Sequence, residues 1–162
     1  VVQNDSVNEA IGEYLQSLLD QLGYKATLKP LSNNIQYTYI QNTKNKVQLS
    51  LTQWYQDYPA PSDFLQVLLS CASFHPNSDT SINISGYCNS ALDAKMAAAE
   101  KLGLTDAATA NQQWGQIDQD FMKESPLVPL FTPKLVDFTS SRVGNYQFSL
   151  QYYMLVDQLW LK

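Results

Sequence analysis

Apolar residues recur at helical spacing from the start of the chain: Val7, Ala10, Ile11, Tyr14, Leu15, Leu18, Leu19 and Leu22 form one stripe. Ser6-Val7-Asn8-Glu9 reads as a capping box, in which Ser6 and Glu9 satisfy free amides of the first turn. Gly23 stands where a left-handed C-cap belongs. The pattern predicts an amphipathic helix that packs one face on something flat. Lys25 to Lys29 follows as a short strand, then a polar, helix-compatible stretch to Asn42. Val47-Gln48-Leu49-Ser50-Leu51-Thr52 alternates with the period of a strand. Strand, helix, strand implies a crossover and a parallel pair. The strand expected ahead of the first helix is either reduced to Val1-Val2 or lies outside this sequence, as in a trimmed fragment.

The next segments are helical. Ser62 is placed to cap a helix carrying Phe64, Leu65, Val67, Leu68 and Leu69 and ending near Cys71. Asn89 caps another, with Leu92, Met96 and Ala99 on its apolar face. After Gly103 a further helix runs from Thr105, carrying Ala110, Trp114, Ile117 and Phe121 at intervals of four, three and four. Such a stripe is core rather than a cofactor box. Pro126 and Pro129 bracket the end of that helix, and Leu127 to Phe131 reads as a strand that its prolines confine to an edge or an end. Gln147 to Tyr153 and Leu155 to Leu161 are strand-prone, but no turn signal orders them. The expectation is one α/β domain over residues 1–162: a mixed, mainly parallel sheet with helices packed on it.

Composition narrows the partners. With 162 residues, 44% of them apolar, the chain is long enough to bury a core without metal or a disulfide lattice. Its net charge is -5, Arg142 is the only arginine, and the lysines are scattered. Nucleic acid and anionic membranes need a basic stripe and are excluded as partners. Charged residues make up only 15% of the chain, and no apolar run approaches the roughly 20 residues of a membrane span. Cys71 and Cys88 admit a single pairing and flank a polar loop, Ser73 to Ser85. A disulfide there suits an oxidising compartment and would contribute roughly 3 kcal/mol on the chain-entropy model. Two buried thiols are the alternative. Neither cysteine has zinc-site or catalytic spacing, and no metal or cofactor is expected.

The densest chemistry lies in Gln53-Trp54-Tyr55-Gln56-Asp57-Tyr58-Pro59-Ala60-Pro61-Ser62-Asp63-Phe64, between the predicted strand and the predicted helix. In open α/β sheets ligands bind beyond the carboxyl ends of strands, where loops expose amides and side chains. Trp54, Tyr55 and Tyr58 surround one carboxylate, Asp57, in a loop that two prolines stiffen. Such a carboxylate suits an ammonium group, through charge-assisted hydrogen bonds and cation–π attraction. The structural alternative is that Asp57 caps a turn and the aromatics belong to the core. Asp57 and Asp63 as a glycosidase-like pair is a weaker alternative. Asp63 at a helix start is better explained by the helix dipole. His75 reads as a surface residue of the polar loop, and no serine sits in a nucleophile elbow.

These residues resemble the W-x-x-D-Y-P-x-P-x-x-F signature of the family 5 extracellular solute-binding proteins of ABC importers, which include dipeptide- and oligopeptide-binding proteins. Ser85-Gly86-Tyr87-Cys88-Asn89 with Leu92-Asp93 is similar to that family's Y-x-N-x-x-x-D helix start. Ser125-Pro126-Leu127-Val128-Pro129-Leu130 resembles its P-x-I-P-L segment, and Leu22-Gly23-Tyr24-Lys25-Ala26 its L-x-x-x-G-I-x-V passage. The resemblance spans about Asn8 to Phe131. It implies a periplasmic-binding-protein-like, carboxyl-terminal lobe of a two-lobed clamp, with the amino-terminal lobe missing and the solute held between lobes. It implies that Asp57 meets a peptide's α-ammonium, that Trp54 lines the pocket, and that Tyr55 lies at the peptide backbone. The acidic residue common between the two prolines is Ala60 here, and the family includes binders of sugars and metal chelates. The solute is therefore a peptide or another small molecule. Further implications are an ABC permease as partner, no reaction, no cofactor, and an extracellular or periplasmic location with an anchor outside this sequence. The alternatives are a carboxylate-dependent hydrolase domain and a protein-interaction module.

Overall fold

Asp5, one residue ahead of the predicted capping box, starts the first helix. Its carboxylate accepts the amide protons of Val7 and Asn8 at 3.1 and 3.0 Å and so caps α1 (Ser6–Gln21). An aspartate there outdoes Ser6, because its charge also faces the positive end of the helix. The far end follows expectation. Gly23 takes φ +89°, and the amides of Gly23 and Tyr24 return to the carbonyls of Asp20 and Leu19 as a Schellman turn. The computed structural model describes all 162 residues.

Beneath α1 lies a small parallel arrangement. β1 (Val2–Gln3) pairs in parallel with β2 (Pro30–Leu31), in the register Val2↔Pro30 and Gln3↔Leu31. The strand expected at Lys25 to Lys29 thus forms just beyond it, although the Lys29 carbonyl does accept the Val2 amide. From β2 the chain passes through α2 (Asn33–Gln41) to the other side of β1. There the Val1 ammonium donates to the Leu49 carbonyl at 2.8 Å and the Leu51 amide donates to the Val1 carbonyl at 3.0 Å. This is the bonding pattern of a parallel bridge, so the alternating segment Val47 to Thr52 lies beside β1. With so few ladder bonds it forms no strand of its own.

The expected broad sheet is absent. Besides β1 and β2 there are two antiparallel pairs: β3 (Val143–Gly144) with β6 (Trp160–Leu161), and β4 (Phe148–Ser149) with β5 (Tyr153–Met154). The three pairs do not join. Leu127 to Phe131 forms no strand at all. Pro126, Pro129 and Pro133 remove amide donors at short intervals there, and no neighbouring strand offers a ladder. The narrow support also changes α1. Val7, Tyr14, Leu18 and Leu22 of the predicted buried stripe are exposed, and Gly12 is the one buried residue of the helix. A Cβ on Gly12 would lie 2.6 Å from the Leu28 side chain and 2.9 Å from that of Val2, so the missing side chain lets helix and sheet close.

The main core sits between three helices. α3 (Ser62–Leu69), α4 (Ser90–Gly103) and α5 (Ala107–Glu124) bury Leu69, Leu92, Met96, Ala99, Trp114, Ile117 and Phe121 in one cluster. The predicted face of α4 is buried in it whole and that of α5 all but Ala110, whereas of the five apolar residues read on α3 only Leu69 is buried and Phe64 is exposed. Asn89 caps α4 as expected, accepting from Ala91 and Leu92. The start of α5 falls two residues after Thr105, because Asp106 takes the cap and accepts the Thr109 amide. Ser62 is not a cap: it is the first residue of α3, and Pro61 precedes it without a side-chain bond.

Cys71 and Cys88 are joined by a disulfide, with their Cα atoms 4.5 Å apart. The polar loop it closes has its own interior. Ser81 and Asn83 are fully buried, and the Asn83 amide nitrogen donates to the carbonyls of Ser70 and Tyr87 at 3.0 and 2.8 Å. The loop tip reaches α2, where Asn42 donates to the Asp79 carboxylate at 2.6 Å. Beyond α5 the packing stops, and every residue from 128 to 142 is exposed. The chain presents 11192 Å² of surface for 18.3 kDa, where size scaling gives a compact monomer about 8,100 Å².

Candidate functional site

The loop from Gln53 to Pro61 leaves the extended segment beside β1 and enters α3, so it opens beyond the carboxyl end of the parallel arrangement. Gln36, fully buried on α2, donates to the Leu51 carbonyl at 3.1 Å and holds the loop at its root. At the far end the amides of Asp63 and Phe64 close turns onto the carbonyls of Ala60 and Pro61.

The four predicted site residues fall into two groups. Trp54 is half-buried, its indole nitrogen shielded from solvent without a hydrogen-bond partner. Tyr55 and Tyr58 are 50% and 40% exposed, and Asp57 is exposed with them. The Asp57 carboxylate accepts no hydrogen bond within the chain, and the two ion pairs both belong to Asp120. This rules against the turn-cap alternative. Burial also divides the aromatics: Trp54 belongs partly to the interior, whereas both tyrosines are exposed, as Asp57 is.

Asp63 caps the turn instead. Its side chain is fully buried, and one carboxylate oxygen, Oδ2, accepts the Asp57 amide at 2.8 Å. The helix dipole therefore does not account for Asp63 alone, since its hydrogen bond leads out of α3 into the loop. The other oxygen, Oδ1, is buried without a partner. From the opposite side Gln151 Nε2 donates to the Asp57 carbonyl at 2.7 Å. Sequence reasoning missed both contacts. The six-residue spacing of Asp63 from Asp57 was the only available signal for the first. For the second, a separation of 94 residues leaves none. His75 lies apart, exposed on the disulfide loop, with its amide bonded to Ser81 Oγ.

An exposed carboxylate whose own peptide group is held from both sides can accept hydrogen bonds from a cation without first ordering the loop. Residues 1–76 match the family model for the bacterial extracellular solute-binding proteins, family 5, middle region. The matched stretch takes in the whole loop and Asp63 and ends before Cys88, so the later resembling segments, at Ser85 to Asn89 and Ser125 to Leu130, lie outside it. Among characterised proteins, the chain is 28% identical over 118 residues to the peptide transport periplasmic protein SapA of Salmonella typhimurium, covering 73% of this chain and 20% of that protein. It is 25% identical over 118 residues to the probable ABC transporter periplasmic-binding protein SapA of Escherichia coli, with the same coverage. The chain thus spans about a fifth of the length of the curated relatives it matches. No solved structure matches it. Both of these relatives are, by their names, transport or periplasmic-binding proteins.

Proposed function

We propose that this chain is the carboxyl-terminal, ligand-facing α/β lobe of a solute-binding receptor that serves an ABC importer. It holds a peptide or similar amine-bearing solute between itself and an amino-terminal lobe, and it hands that solute to a membrane permease. The observation that carries the reading is the exposed, unpaired Asp57 carboxylate between Tyr55 and Tyr58, inside the segment that matches the solute-binding family. Asp57 meets the ammonium, the tyrosine rings exclude water around it, and Trp54 forms the wall beneath. The excess surface, about 3,000 Å² above that of a compact monomer, supports a second lobe that covers part of this one. The parallel pairing around β1 extends, on this reading, into a larger, mainly parallel sheet completed by the rest of the protein.

The names of the relatives, one a peptide transport protein and both periplasmic, support the solute class and a location outside the cytoplasm. The disulfide agrees with an oxidising compartment. No helix is long and apolar enough to cross a membrane. The hydrolase alternative is weakened by Asp63, which is fully buried with one oxygen committed to the Asp57 amide. Native mass spectrometry of the full-length protein tests the function. A co-purifying small amine or peptide, released unchanged, is expected. Turnover of peptides or glycosides would replace the receptor reading with the hydrolase one.

A further inference from the structure

The Asp57 side chain is free, but its main chain is gripped. The amide is bonded to Asp63 Oδ2 at 2.8 Å and the carbonyl to Gln151 Nε2 at 2.7 Å. The two partners come from separate elements, both later in the chain: Asp63 from the first turn of α3, and Gln151 from the turn between β4 and β5. Asp63 is anchored in the interior, whereas Gln151 is half-buried at the surface. No other hydrogen bond holds this residue. Without them Asp57 would be an exposed residue in irregular backbone, free to turn its carboxylate in many directions.

We propose that Asp63 and Gln151 are positioning residues that aim the Asp57 carboxylate, and that the β4–β5 turn thereby forms part of the recognition site. The inference rests on the reading of Asp57 as the recognition carboxylate. Holding both ends of one residue fixes its φ and ψ, and with them the Cα–Cβ direction, so the loop is ordered before the solute arrives. Asp63 suits the task because a charged acceptor binds an amide more strongly than a neutral one. A helix start needs no such reach into a neighbouring loop, and Oδ1 makes no hydrogen bond to α3.

The test uses the full-length protein, with tri-alanine as the probe. Calorimetric titration reads its affinity, and hydrogen exchange reads the Asp57 amide. Loss of a hydrogen bond to a charged group predicts that Asp63→Ala speeds exchange at Asp57 about tenfold or more and weakens the probe by a similar factor. Asp63→Asn keeps an acceptor oxygen, a neutral and so weaker one, and should recover part of both. Gln151→Ala should weaken the probe while leaving the melting temperature in place, because its side chain is not part of the core. An Asp57 amide that exchanges as slowly in Asp63→Ala as in the wild type overturns the proposal. So does faster exchange with the affinity unmoved. If instead Asp57→Asn binds the probe as well as the wild type does, the recognition reading itself fails, while the exchange rate still decides whether Asp63 braces the loop.

Discussion

The stretch from Ser62 to Glu124 and the stretch from Ser125 to Lys162 are both rich in large apolar residues, yet they treat them in opposite ways. In the first, Leu69, Leu92, Met96, Ile117 and Phe121 are at most 4% exposed. In the second, Gly144 is the only buried residue, and Val136, Phe138 and Leu150 are 88%, 96% and 83% exposed. Composition alone therefore does not build a core. The first stretch spaces its apolar residues at three and four, caps its helices with Asn89 and Asp106, and closes its loop with a disulfide. The second has three prolines near its start and strands of two residues, which cannot gather apolar side chains onto one face. A surface of that kind is found where another body covers it.

The largest expected effect sets the two stretches directly against each other. Phe121→Ala should lower unfolding free energy by about 3–5 kcal/mol, as for a fully buried phenylalanine. Phe138→Ala in the isolated chain should stay within about 0.5 kcal/mol, as for an exposed site. Urea denaturation of both variants measures this. Repeating Phe138→Ala in the full-length protein sharpens the comparison, because a second lobe that covers the residue should make the same change costly.

Next comes the disulfide. Replacing Cys71 and Cys88 by serine should cost roughly 3 kcal/mol on the chain-entropy model for a 17-residue separation. The loss should register as faster amide exchange in α3 and α4 and leave residues 128–142 as they were. Equal loosening of both stretches would mean that they do not behave as separate packing regimes.

The smallest effect is electrostatic. Lys95 and Lys123, at 2.8 and 3.0 Å, hold the Asp120 carboxyl well below its ordinary value of 3.8. Because the folded state favours the ionised form, the contribution is complete above that ordinary value. It is lost as pH falls below it toward the depressed folded value. Solvent and salt screen the cluster, so the effect on stability is small. Melting temperature should fall slightly on acidification below pH 3.8, and Asp120→Asn should flatten that part of the profile. An unchanged slope in the variant would remove Asp120 from the account.

What the sequence made legible follows the same division. The stripes Leu92–Met96–Ala99 and Ala110–Trp114–Ile117–Phe121 end up buried because each helix finds its partner within the chain. The stripe of α1 has equal periodicity, but only the Gly12 flank is covered, since periodicity says where a face is and not whether anything meets it. The caps moved by a residue or two wherever an aspartate, Asp5 or Asp106, stood near the expected serine or threonine. In the candidate site, local chemistry marked Trp54, Tyr55, Asp57 and Tyr58. The grip of Asp63 and Gln151 on Asp57 is tertiary, and a contact across 94 residues leaves no local pattern.

The central claim is that Asp57 recognises a ligand ammonium, and calorimetric titration of wild-type and Asp57→Asn full-length protein tests it most directly. Tri-alanine with a free amino end and its N-acetylated form are the two ligands. Asn keeps the shape of the side chain and removes its charge. The account predicts that the variant loses affinity for the free-amine peptide by at least about tenfold, in line with roughly 2–5 kcal/mol for a buried charge pair broken on one side. Acetylated peptide should bind weakly to both proteins, and the melting temperature should barely move, because the carboxylate completes no internal hydrogen bond. Unchanged affinity for the free-amine peptide together with a lowered melting temperature would contradict the claim and make Asp57 a structural residue.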